Sequence, residues 1–214
     1  MCVVSTVFAQ TDLDALHRVG DPGLSTIATR GAANIVDQIL GVESTRGATL
    51  LADGPLTGPA VELLAQQGDT VAIAAADTPA QDPAPGLPAD ADLTPVRYRP
   101  QVVAAPFDPA VGAALAGAGI DPTTPSYLDP SLHIALAGDS QVARRQSALG
   151  ALLWRSLRPD TTPRDQILLP PPTWNLHAED AQAILSAVAT AIRAGLAEPR
   201  PLPQLIAETA AVPA

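Results

Sequence analysis

Apolar positions along the chain follow two rhythms, and they alternate. Val3 to Phe8 is a short run rich in β-branched residues, after which Leu13, Leu16 and Val19 recur at helical spacing over 12–19, with Thr11 or Asp12 placed to cap that helix. A second helical pattern over 24–40 carries Ile27, Ile35, Ile39 and Leu40 and stops at Gly41, where a left-handed terminating residue belongs. Residues 48–51 form an apolar run halted by a turn signal, Ala52-Asp53-Gly54-Pro55; 57–67 predicts a helix ending at Gly68, and 70–76 another strand.

Further along, 77–95 is rich in proline and aspartate and predicts an exposed loop, 96–105 a strand and 108–118 a helix. A longer helix is expected from 139 to about 158, with Val142, Leu149, Leu152, Leu153 and Leu157 on one side. Ile167-Leu168-Leu169 reads as a buried strand ending in three prolines, and 178–196 as a helix turning Ile184, Leu185, Val188 and Ile192 inward. Strand followed by helix, repeated, predicts an α/β fold with a parallel sheet and right-handed crossovers, as in a partial or degenerate β/α barrel. The expected organisation is a single α/β domain over 1–200, a fragment of a larger ectodomain, followed by an extended proline-rich tail over 201–214.

Composition narrows the functions this fold can carry. Acidic residues outnumber basic ones 22 to 12, and the net charge of −10 opposes binding to nucleic acid, which depends on neutralising phosphates. All basic residues are arginine, so a lysine nucleophile, Schiff base or phosphate-loop lysine is excluded. The single cysteine, Cys2, excludes an internal disulfide and a cysteine-rich metal site. His17, His133 and His177 lack metal-ligand spacing, and the glycines form no dinucleotide fingerprint; neither a metal nor a cofactor is expected. No segment has the length and apolarity of a membrane span, and 1–9 lacks the basic start of a signal peptide.

Two blocks of sequence carry a resemblance. Arg145-Gln-Ser-Ala-Leu-Gly-Ala-Leu-Leu-Trp154 followed by Gln166-Ile-Leu-Leu-Pro-Pro-Pro-Thr-Trp-Asn175, together with Val7-Phe-Ala-Gln-Thr-Asp-Leu-Asp-Ala-Leu16 and Leu51-Ala-Asp-Gly54, resemble a large family of secreted actinobacterial cell-envelope proteins of unknown function, often labelled glycoproteins. The resemblance implies part of a glycoside hydrolase-like or deacetylase-like α/β barrel, in the extracytoplasmic part of a membrane-tethered protein encoded beside a lipid II flippase-like membrane protein. It departs at the first motif, where Gln10 and Thr11 replace the family's Asp and Pro.

Candidate chemistry sits where parallel strands are expected to end. Asp12, Asp14, Asp53 and Asp77 each follow a predicted strand, and Asp77 is a candidate for ligand binding. Asp12 and Asp53 could serve as acid and base on a glycosidic bond; alternatively Asp12 caps a helix, Asp53 shapes a turn and Asp77 opens a solvated loop. Arg144 and Arg145 open a helix whose N-terminus disfavours cations, which calls for a carboxylate partner or an anionic sugar or peptide ligand. Trp174, behind a strand end, is either a packed lid or a stacking platform for a sugar ring. The sequence therefore predicts a non-catalytic scaffold or recognition domain for cell-wall glycan or an envelope protein, with a carbohydrate-active hydrolase or deacetylase using Asp12 and Asp53 as the alternative.

Overall fold

The structure is a computed structural model that describes residues 3–76, 91–123, 125, 138–158, 165–171 and 174–213, with the side chains of Ala52 and Asp53 excepted. Asp77, His133 and most of the loop expected over 77–95 lie outside the described residues. In chain order the elements are β1 (Val4–Thr6), α1 (Leu13–Val19), α2 (Pro22–Thr26), α3 (Ala32–Leu40), β2 (Thr45–Pro55), α4 (Gly58–Gln67), β3 (Thr70–Ala75), β4 (Val96–Arg99), β5 (Val102–Phe107), α5 (Pro109–Gly117), α6 (Gln141–Leu153), α7 (Ala178–Arg193) and α8 (Leu202–Ala210). The fold is α/β with a mostly parallel mixed sheet.

The chain divides into two compact units. The first comprises Met1–Asp77, Asp92–Pro106 and Arg200–Ala214, and the second Thr78–Ala91 and Phe107–Pro199. In the first unit the described strands lie in the order β1-β2-β3-β5-β4. β1 and β2 are parallel, as are β2 and β3, and β4 folds back on β5 as an antiparallel edge. The Thr70 N–H donates to Gln101 O at 2.8 Å, so β3 and β5 begin at the same end of the sheet.

The core of this unit forms where α1 and α4 settle on the sheet. Leu13 and Leu16 from α1 and Leu63 and Leu64 from α4 pack with Ala72, Ala74, Val102 and Ala104, the small alanines leaving room for helical leucines to interdigitate. α8 belongs to this unit too. Its start tolerates Pro203 because first-turn N–H groups need no partner within the helix, and Ile206 and Thr209 are buried. Arg97 on β4 donates to Ala210 O at 2.7 Å and Val212 O at 2.6 and 2.8 Å, satisfying carbonyls that the helix end leaves open.

The second unit is built from α5, α6 and α7. Val111 and Leu115 of α5, Ala148 and Leu152 of α6 and Ile184 of α7 share its core, with Trp174 and Val188 packed against it.

Several local expectations require correction. Ala52 to Pro55 continues β2 rather than turning, and the pairing register with β3 shifts between Leu50 and Pro55, where Gly54 adopts φ 88°. A glycine supplies that conformation without steric cost, so the turn signal marks an irregularity inside a strand. The helix over 24–40 is broken by a π-helical turn, Ile27–Gly31. Its extra residue rotates the apolar face, so Ala28, Ala32 and Ala33 are buried while Leu24, Ile27, Ile39 and Leu40 are exposed. The strand over 96–105 is a hairpin of two strands; Ile167-Leu168-Leu169 pairs with no strand among the described residues; and the tail expected to be extended forms α8. Val142, Leu157, Leu185 and Ile192, expected inward, are exposed.

Candidate functional site

The turn after β1 carries the first candidate carboxylate. Ala9 and Gln10 both take left-handed backbone angles, φ 52° and 53°, which places the chain to enter α1 at Asp12. Such a conformation costs about 1–2 kcal/mol for a residue bearing a Cβ. Asp12 is the N-cap of α1: one carboxylate oxygen accepts from the Asp14 N–H at 2.9 Å and the Ala15 N–H at 3.1 Å. Asp14 in turn accepts a short hydrogen bond from the Thr57 hydroxyl, which also caps α4 by accepting from the Ala60 N–H at 3.2 Å. Thus the carboxylates beyond β1 are bound into the starts of the two helices that follow β1 and β2. The Asp53 backbone lies in β2; its side chain is outside what the structure describes.

A hollow of about 160 Å³ opens beyond the ends of β2 and β3, lined by Leu56, Ala76 and Pro106 with Asp92, Thr94 and Tyr98. Its carboxylate, Asp92, accepts from the Thr94 N–H at 2.9 Å. The Thr94 hydroxyl and then its N–H hold the Asp92 carboxyl below the ordinary aspartate value, outweighing a small opposing effect of burial. A hydrolase's proton donor needs the reverse, a carboxyl kept protonated by an apolar setting.

Arg145 and Trp174 belong to the second unit, and both are engaged there. Arg145 pairs at 3.2 Å with Asp180, which is fully buried in the first turn of α7 and accepts a second bond from the Gln141 amide at 2.8 Å. Arg144 instead turns back on its own helix start and donates to Asp139 O. The unfavourable position of Arg145 at a helix N-terminus is offset by that buried carboxylate, itself stabilised at the N-terminal end of α7. Trp174 donates its indole N–H to Leu115 O at 2.8 Å and lies against the core of the unit. Its ring is used in packing.

One pair went unrecognised in the sequence. Asp108 caps α5 through the Ala110 N–H at 2.9 Å and is buried against Arg155 at the end of α6. Asp108-Pro109 is a legible helix start; that Arg155, 47 positions later, reaches it depends on tertiary packing.

His17 meets Glu62 at 3.2 Å across α1 and α4 on the surface. Among the described residues no three His, Cys, Asp or Glu side chains gather as a metal site would require, and no helix is long and apolar enough to cross a membrane. Comparisons with protein-family models, with curated proteins and with solved structures return no match.

Proposed function

We propose that this chain is a non-catalytic scaffold or recognition domain of an exported cell-envelope protein, acting in cell-wall assembly outside the cytoplasm. The observation that carries the non-catalytic part is the cap geometry of Asp12: the carboxylate that a hydrolase would use beyond β1 accepts two backbone N–H groups of α1. That oxygen is committed to the start of its own helix and is not presented to a substrate. The lowered pKa of Asp92 in the neighbouring hollow supports the same reading. The envelope location rests on the resemblance of the blocks ending in Trp154 and Asn175 to secreted envelope proteins.

Co-sedimentation with purified cell-wall sacculi tests the recognition role. The chain is expected to pellet with sacculi and to remain soluble without them. A chain that stays in the supernatant over a wide range of sacculus concentrations, and captures no envelope protein from a detergent extract, contradicts the proposal.

A further inference from the structure

The outer side of α7 carries a charge pattern that matches itself when reversed. Steps of three and four residues return to one face of a helix, so Glu179, Ala183, Ser186, Thr190 and Arg193 lie along a common side. Glu179, Ser186, Thr190 and Arg193 are exposed, and among the described residues Glu179 has no ion-pair partner. Beside this line a groove of about 400 Å³ runs past Leu153, Leu157, Ala187, Ala191 and Leu196. Leu157 and Leu196 are 64% and 48% exposed.

Charge decides what can cover this surface. In a chain of net charge −10, residues 181–196 hold Arg193 as their one charged residue, and 141–158 hold no acid and four arginines, of which Arg145 and Arg155 are paired with the buried Asp180 and Asp108. Two copies repel over most of their surface and least here. Ser186 lies seven positions from Glu179 and seven from Arg193, about 10 Å along the axis in each direction. An antiparallel two-fold contact through Ser186 therefore sets Glu179 of each copy against Arg193 of the other, with the small side chains of Ala183 and Ser186 admitting close approach between them.

We propose that this face of α7 docks a second copy of the chain in that antiparallel arrangement, which covers the groove and its leucines. Sedimentation equilibrium on the full chain, from micromolar to millimolar concentration at low salt, reads it directly. The wild type is expected to dimerise, and Glu179→Arg or Arg193→Glu alone to raise the dimer dissociation constant about tenfold, since each reversal alters two symmetry-related pairs. The double reversal, Glu179→Arg with Arg193→Glu, restores dimerisation although it opposes the helix dipole at both ends, an outcome that mere damage to α7 does not produce. Circular dichroism confirms that each variant is folded. A wild type that stays monomeric throughout, including one that instead binds lipid vesicles or another protein, overturns the proposal, as does a dimer indifferent to both single reversals.

Discussion

Arg155 donates two hydrogen bonds to a single oxygen of Asp108, at 2.8 and 3.2 Å, with the two side chains only 6% and 2% exposed. The same guanidinium reaches Ala91 O at 3.2 Å, while Asp108 caps α5. Loss of Arg155 leaves the Asp108 carboxylate buried without its guanidinium, and loss of Asp108 removes both the cap of α5 and the buried acceptor of two Arg155 hydrogen bonds. Arg155→Met or Asp108→Ala is expected to cost about 3–5 kcal/mol, and replacement of both by apolar residues considerably less than the sum. Urea unfolding of the two single variants and the double variant measures this; additive losses contradict the pairing.

Trp174 follows the same logic at smaller scale. If its ring serves packing, Trp174→Phe retains most of the apolar contact and loses the bond to Leu115 O, a cost of about 1 kcal/mol. Binding to sacculi is expected to be unchanged. A large loss of binding with little loss of stability identifies the ring as a ligand platform instead.

Ala9 is held at φ 52° and ψ 26°, a conformation glycine adopts without strain. Ala9→Gly is expected to stabilise the chain by about 0.5–1 kcal/mol, the relief of strain exceeding the extra entropy of an unfolded glycine. Thermal unfolding of the variant checks the sign.

Asp37 accepts from the Ser44 N–H at 2.7 Å and pairs with Arg46. Ser44 first, then the Arg46 guanidinium, hold its carboxyl below the ordinary 3.8, while burial opposes them. A folded-state pKa below the unfolded value contributes stability above pH 3.8 and loses it as the pH falls through the folded pKa. Asp37→Asn is therefore expected to be less stable than the wild type near neutrality, with the gap narrowing on acidification below about pH 4. Urea midpoints across that interval test the direction.

The α/β alternation was legible because most strands and helices carry their own local signal. Val71 to Ala75 is a continuous apolar run, and Asp12, Thr57 and Asp108 are cap residues at the helix starts they predict. The breaks were not legible. The π-helical turn at Ile27–Gly31 lies within an unbroken helical periodicity, and Leu202-Pro203 reads as an extended tail until packing of Ile206 and the Arg97 bonds favour α8. For the candidate site, residue type alone identifies a carboxylate at a strand end. Whether Asp12 faces a substrate or its own helix is decided by the turn geometry at Ala9 and Gln10. The carboxylate partner of Arg145 was an expected alternative, but its identity as Asp180, 35 positions away, comes from helix packing.

Under the proposed function Asp12 works as a cap rather than as a catalyst, and prolonged incubation of the chain with cell-wall glycan tests this most directly, with reducing ends and free acetate measured for wild type and Asp12→Asn. No release above the protein-free control is predicted for either, with Asp12→Asn, which keeps an N-cap acceptor, remaining folded. Release by the wild type that Asp12→Asn abolishes would contradict the account and make Asp12 a catalytic residue.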